Sequence, residues 1–258
     1  MRLVKYFLDI NRSFSRWLLA QFPSLATGGN YKGELLGILE TFISEKANCR
    51  VLEAGGIDRS LLKKSSYIEY DGLDIEERDR CKDIYNNFYV QSIEEKLPQE
   101  YDLICSFTLL EHVPDNRKAL KAMYDSLSAG GVMAHYVPGG LHPYSIIIRL
   151  LGPKLSMRLL NKFHPEVIGL SGYAAYFDKC TVKQMTLLCR ELGFNDIRVS
   201  CYYRANYYFE VFFPAFFLVT LWENICRCFG WESFCSGFVI RASKNGGLDF
   251  NTNGQRIK

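Results

Sequence analysis

Two acids and two glycines stand out in the first third of this 258-residue chain. Arg50-Val51-Leu52-Glu53-Ala54 reads as a short buried strand running into Gly55-Gly56, and Tyr67 to Asp74 reads as a second strand ending in an acid. Glycines directly after a strand let backbone approach a ligand closely, which suits a nucleotide-type cofactor. A dinucleotide site would need G-x-G-x-x-G, whose amides hold a pyrophosphate. The run here is Gly55-Gly56-Ile57-Asp58-Arg59, and Glu53 and Asp58 beside it would repel a diphosphate. They suit instead a ligand with an ammonium group, while Asp74 is placed to accept hydrogen bonds from two ribose hydroxyls. An adenosine carrying an amino acid meets both demands.

The elements that must position these residues alternate between strand and helix periodicity. Residues 2–20 place Leu3, Phe7, Ile10, Phe14 and Trp17 on one helical stripe, with Arg2, Lys5, Arg12 and Arg16 on the other face. A second helix is predicted over 34–46. Strands follow at Phe88–Val90, Tyr101–Ser106 and Val132–Val137, with a helix over 115–127 before the last of these. Thr181-x-x-Gln184 is a capping box that opens a further helix, ended by Gly193. Ile197–Tyr203 and Ser236–Ser243 complete a set of seven strands. Such alternation predicts an α/β, Rossmann-like doubly wound sheet, with ligands bound outside the carboxyl ends of the strands.

Composition narrows the classes. Hydrophobic residues are 48% and charged residues 23%, as in ordinary globular chains. Lys+Arg 31 against Asp+Glu 28 leaves +3, too little to argue for nucleic acid. The nine cysteines show neither disulfide nor zinc spacing, so no metal is expected and a reducing compartment is. Lys5 and Asp9 interrupt any signal-peptide core. The longest uncharged apolar stretch, Val211–Trp222, is 12 residues, about 18 Å as a helix against a hydrocarbon core of about 30 Å. The expected location is cytoplasmic.

Over about residues 47–244 the sequence resembles the class I S-adenosylmethionine (SAM) dependent methyltransferases of the small-molecule type. Val51 to Gly56 resembles the family's first motif, Gly72-Leu73-Asp74-Ile75 its ribose-binding strand end, Tyr101-Asp102-Leu103-Ile104-Cys105-Ser106 through Leu110-Glu111-His112-Val113-Pro114-Asp115 its fourth-strand motif, and Leu127 to Gly131 the turn before strand five. The resemblance implies a mostly parallel seven-stranded sheet with an antiparallel last strand and helices on both faces. It implies SAM as cofactor and S-adenosylhomocysteine as product. Gly55 and Gly56 would approach the methionine portion, Glu53 would read its amino group, Asp74 with Ile75 would hold the ribose, Ser92 and Ile93 would flank the adenine, and Ser106 and Phe107 would sit near the sulfonium. Two departures stand out: Ile57 and Arg59 occupy positions where the family has glycines, and Gln91-Ser92 stands where an acid is common.

The resemblance also divides the chain into an N-terminal helical cap over 1–46, the methyltransferase domain over 47–244, and a disordered tail over 245–258. Two inserts are expected within the domain. The first, 138–180, faces the acceptor and holds two short helices, Pro143–Leu151 and Pro153–Phe163, bearing Arg149, Lys154, Arg158 and Lys162. The second, 204–232, is dense in aromatics. A hydroxyl acceptor needs a base; His142 is the first candidate, His112 the second and His164 the third, while His135 lies within a strand. Tyr173 and Tyr176 are candidates for lining the acceptor site.

The leading expectation is methyl transfer to a small-molecule or lipid-linked saccharide acceptor, a sugar hydroxyl in glycan biosynthesis, with looser similarity to methyltransferases of bacterial surface polysaccharide and glycolipid pathways. Methylation of a lipid or quinone-like acceptor is the enzymatic alternative. An inactive pseudo-methyltransferase acting as a binding partner is the other, motivated by Ile57 and Arg59. No nucleic acid partner is expected; peripheral contact with the inner membrane face and a homodimer are.

Overall fold

The computed structural model describes residues 2–26, 29–163 and 173–244. His164 and the tail 245–258 lie outside the described residues.

Seven strands form one sheet in the order β3-β2-β1-β4-β5-β7-β6. They are β1 (Cys49–Ala54), β2 (Ile68–Asp74), β3 (Phe88–Val90), β4 (Tyr101–Phe107), β5 (Leu127–Pro138), β6 (Phe194–Tyr202) and β7 (Gly237–Lys244). β1, β2 and β4 are buried almost throughout, as strands covered on both faces must be. β1 pairs in parallel with β2 and β4, β2 with β3, and β4 with β5; the last strand, β7, runs antiparallel. The strand order reverses between β1 and β4, and that reversal opens a crevice at the carboxyl ends of an α/β sheet.

Local chemistry sets the helices. α1 is Arg2–Gln21 and α2 Tyr31–Ser44; the latter starts earlier than its apolar spacing predicts, because the Asn30 side chain accepts from the Gly33 amide at 2.9 Å. α3 is the single turn Cys81–Ile84. α4 (Asn116–Ser126) begins where Asp115 accepts from the amides of Arg117 and Lys118. α5 (Pro143–Phe163) is broken at Gly152, φ 70°, so it comprises the two Pro-started pieces expected from sequence. α6 (Val182–Glu191) carries the Thr181 cap, and Gly193 turns left-handed after it at φ +95°. α7 (Phe213–Cys228) is a helix that strand and turn signals did not predict in the aromatic insert. β5 also begins five residues before the apolar run Val132–Val137, since Leu127 already pairs with Tyr101 across an irregularity.

The chain forms two compact units. Among the described residues, one comprises 30–137, 177–200 and 239–244 and contains almost all of the sheet; the other comprises those within 1–29, 138–176 and 201–238. The first insert and the aromatic insert thus join the N-terminal helix in a unit of their own, whereas α2 belongs with the sheet.

Candidate active site

The site residues of the sheet unit gather where β1 and β2 end. Gly55 adopts φ +82°, and its amide donates to Leu73 O at 2.8 Å, which ties the loop to β2 as it leaves the sheet. Gly56 is required sterically: a Cβ there would lie 2.6 Å from Glu53 Oε1 and closer still to the Tyr85 hydroxyl. Ile57 follows in the left-handed region at φ +44° although it is β-branched, a conformation glycine adopts freely and other residues reach at a cost of roughly 1–2 kcal/mol. Its side chain is buried. The Arg59 amide then bonds Gly56 O at 2.8 Å and closes the turn.

Glu53 is turned inward. Its carboxylate accepts the Tyr70 hydroxyl and, at 3.1 and 3.0 Å, the Leu61 amide. Burial pushes its pKa up to about 7, against the lowering effect of the Tyr70 and Leu61 bonds. As found, Glu53 braces the loop it precedes and does not face solvent. Asp58, the other acid of the loop, meets Arg78 at 3.4 Å.

Asp74 ends β2 nearly buried. Its Oδ1 accepts the Glu76 amide at 3.2 Å, and burial raises its pKa above the usual carboxylate range. Ile75 beside it is well exposed, and Ile93 is buried. Ser92 Oγ both accepts from the Glu94 amide, at 3.2 Å, and bonds the Glu94 carboxylate, at 3.3 Å. Gln91 N donates to Asp74 O at 3.0 Å, so the strand-end loops of β2 and β3 are joined.

β4 delivers Ser106 and Phe107. Ser106 is fully buried and its Oγ is bonded to His135 Nδ1 at 2.8 Å, so its hydroxyl is engaged by the neighbouring strand. His135 is buried as expected, and desolvation lowers its pKa to about 3. Phe107 stacks on Tyr136 with centroids 5.0 Å apart, and Tyr136 on Tyr31 at 4.3 Å. This three-ring stack unites α2, β4 and β5, with Lys32 Nζ 6.0 Å from the Phe107 centroid. Tyr31 and Tyr136 were not singled out from sequence; stacking pairs across elements have no spacing signature.

After β4, the turn Leu110–His112 carries a group of the fourth-strand motif to which the sequence assigned no role. Glu111 is buried, its Oε2 has no hydrogen-bond partner, and desolvation pushes its pKa to about 8. His112 Nε2 lies 3.7 Å from Glu111 Oε1, and the imidazole keeps about a quarter of its surface exposed, 24%.

In the other unit His142 departs from the role expected of it. Its ring is fully buried. Nδ1 accepts from the Tyr144 amide at 3.2 Å and Nε2 lies 3.1 Å from Glu223 Oε1. Both ring nitrogens are therefore engaged inside the protein, and neither offers a lone pair to an acceptor. Tyr173 and Tyr176 are exposed. Among the described residues no cluster of His, Cys, Asp and Glu is arranged to hold a metal ion.

Comparison with known proteins agrees with this geometry. A family profile described as a methyltransferase domain matches residues 6–198. A ubiquinone biosynthesis O-methyltransferase from Pseudomonas putida is 24% identical over 78 residues, 30% of this chain and 33% of that protein; the chain spans about a third of the length of the curated relatives it matches. A SAM-dependent methyltransferase from Archaeoglobus fulgidus shares the fold at a TM-score of 0.53 and 17% identity, over 83% of this chain and 92% of that one. Phosphoethanolamine N-methyltransferase 2 from Haemonchus contortus, solved with S-adenosyl-L-methionine, does so at 0.51 and 14%, over 83% and 52%.

Proposed function

The chain belongs to the methyltransferase-domain family, and from that premise we propose that it is a SAM-dependent methyltransferase acting on a hydroxyl of a small or lipid-linked acceptor. The observation that carries this reading is the path of the loop after β1. Ile57 stands where the family's glycine would, yet its backbone holds φ +44°, so the turn keeps a glycine-like course. A binding partner that had lost the cofactor would have no need to hold a β-branched residue there.

The residues present fit the cofactor. Gly55 and Gly56 let the loop turn tightly against Leu109, Tyr85 and Glu53, which leaves bare backbone for a ligand to approach, and Asp74 presents a carboxylate at the strand end for the ribose hydroxyls. Ile75, exposed at the strand end, supplies apolar surface beside the ribose and adenine, with Ile93 packed beneath. Glu53 acts through the loop, by fixing Leu61 and leaving room only for glycine at position 56. When bound, SAM supplies an electrophilic methyl group on a sulfonium. His112, partly exposed beside Glu111, would take the proton that the acceptor hydroxyl loses when the methyl group passes from sulfur to oxygen. Glu111 Oε1 lies 3.7 Å from Nε2, so the buried side chain packs beside the imidazole and helps to position it.

A sugar hydroxyl is the first acceptor class to screen. A lipid or quinone-like acceptor is the second reading, favoured by the exposed aromatic surface of the 1–29, 138–176 and 201–238 unit. Calorimetric titration with SAM and S-adenosylhomocysteine tests the core of the proposal. Micromolar binding of both is expected; no binding at millimolar ligand would overturn it and turn the search to protein partners.

A further inference from the structure

α1 buries the wrong face for an ordinary amphipathic helix. Its inward residues are Asn11, Ser15 and Leu18. Asn11 Oδ1 accepts the Phe213 amide at 2.8 Å, and the Ser15 hydroxyl is buried with no partner. The apolar stripe points out: Leu3 is 84% exposed, Phe14 53% and Trp17 54%, with Phe7 and Ile10 between them. A stripe of this kind normally lies against a core.

α7, in the same unit, also carries an outward apolar stripe. It buries Phe216, Val219 and Cys226 together with Thr220, Glu223 and Asn224, yet Phe217, Leu218 and Leu221 are exposed, Leu218 by 63%. Phe14 contacts Phe213 at 5.8 Å and Phe213 contacts Phe217 at 6.4 Å, so the two exposed stripes are continuous. No charged side chain interrupts the outward run from Pro214 to Leu221. Isolated exposed apolar residues need no explanation, but a continuous two-helix face does.

Charge indicates what covers it. Residues 1–29, 138–176 and 201–238 hold ten Lys and Arg against five Asp and Glu, a net +5. The rest of the chain holds 21 against 23, a net −2. Two of the five acids are also spoken for, Glu210 by Arg16 at 3.7 Å and Glu223 by His142. Lys154, Arg158 and Lys162 on α5 are exposed in this unit. Aromatic side chains on an exposed helix face, within a cationic unit, are the features that seat a helix in the headgroup region of an anionic bilayer. No helix among the described residues is long and apolar enough to cross one. We infer that the joined outer faces of α1 and α7 dock onto an anionic lipid surface, lying in the interface plane. This goes beyond the proposed methyl transfer and does not depend on it.

The test is flotation of the full chain with vesicles of phosphatidylglycerol and phosphatidylethanolamine, and with vesicles of phosphatidylcholine alone. Binding to the anionic vesicles at least tenfold above the neutral ones is expected, falling at least tenfold again between 50 and 500 mM salt or in the variant Phe14→Ser with Trp17→Ser. Both residues are exposed, so the variant should fold; unchanged far-UV circular dichroism and unchanged SAM binding confirm that it does. A second variant, Lys154→Glu with Arg158→Glu, should weaken anionic binding without changing the apolar face. Flotation that is absent, indifferent to lipid charge, or unchanged in the first variant overturns the inference. So does a dimer in analytical ultracentrifugation that the first variant disperses while flotation is absent, which would assign the face to a second copy of this chain.

Discussion

His142 and Glu223, 81 positions apart in sequence, meet 3.1 Å apart with neither side chain reaching solvent. The imidazole is held from its other side by the Tyr144 amide, and Glu223 Oε1 also accepts the Ala205 amide at 2.6 Å. The pair fastens the start of α5 to α7 and to the segment that leads into α7.

Removing one partner of a buried pair leaves the other unpaired, at a cost of about 3 kcal/mol. His142→Ala is therefore expected to lower stability by about that much in urea unfolding while leaving the SAM dissociation constant of the folded fraction within twofold. Intact stability together with lost turnover would instead return His142 to the role of base.

His112 carries the opposite expectation. His112→Ala should reduce kcat by about a hundredfold, in line with the loss of a general base, with little change in KM or unfolding midpoint. The alkaline rise in wild-type kcat that a base produces should vanish with it. A variant that keeps its kcat would take His112 out of the reaction.

Asp74→Ala removes the ribose acceptor and should weaken SAM binding at least tenfold, about 1.4 kcal/mol. Asp74→Asn, which keeps one acceptor oxygen, should fall between. Calorimetry reads both, and an unchanged dissociation constant in Asp74→Ala would displace the cofactor from the end of β2.

Ile57→Gly sets two effects against each other. Relief of the left-handed backbone gains about 1–2 kcal/mol, and loss of the buried side chain costs about 2–3 kcal/mol. The balance is a protein destabilised by about 1 kcal/mol in urea unfolding, with cofactor affinity unchanged because the backbone path is already that of glycine. A gain in stability would mean that the strain outweighs the packing.

Acid–base linkage separates Glu111 from His135. The folded pKa of Glu111 is about 8 against an ordinary 4.5, so its contribution to stability is complete below pH 4.5 and is lost as pH rises through 8. The folded pKa of His135 is about 3 against 6.5, so its contribution is complete above pH 6.5 and is lost as pH falls toward 3. Glu111→Gln cannot ionise; relative to wild type its unfolding free energy should rise steadily between pH 4.5 and 8. A pH-independent difference would mean that Glu111 ionises normally in the folded chain.

Sequence exposed the strands that make up the sheet because the glycines and acids at their ends are local signals, whereas the order β3-β2-β1-β4-β5-β7-β6 is set by pairings between distant segments. The Thr181 cap and the break at Gly152 were legible for the same reason: each is written within a few residues. What stayed hidden depends on distance in the chain. The bond of Ser106 to His135 lies across the β4–β5 ladder, where no spacing in the sequence marks it. His142 looked available because Glu223 could not be placed beside it from spacing. α7 was obscured because its aromatics fill most of its circumference, so no single stripe marks the helix.

The interleaving of the two units has a consequence during synthesis. Asn11 waits for Phe213, 202 positions later, and Leu25 O for Asn224, 199 positions later. At about 5–20 residues per second, α1 is without α7 for roughly 10–40 seconds after it is made. Asn11 on its inward face lacks that partner throughout the interval, as it does in any contiguous fragment ending before residue 213. Truncation from the carboxyl end removes β7 before it reaches α7, so fragments ending before residue 213 lack both the seventh strand and the partner of Asn11 and should be insoluble.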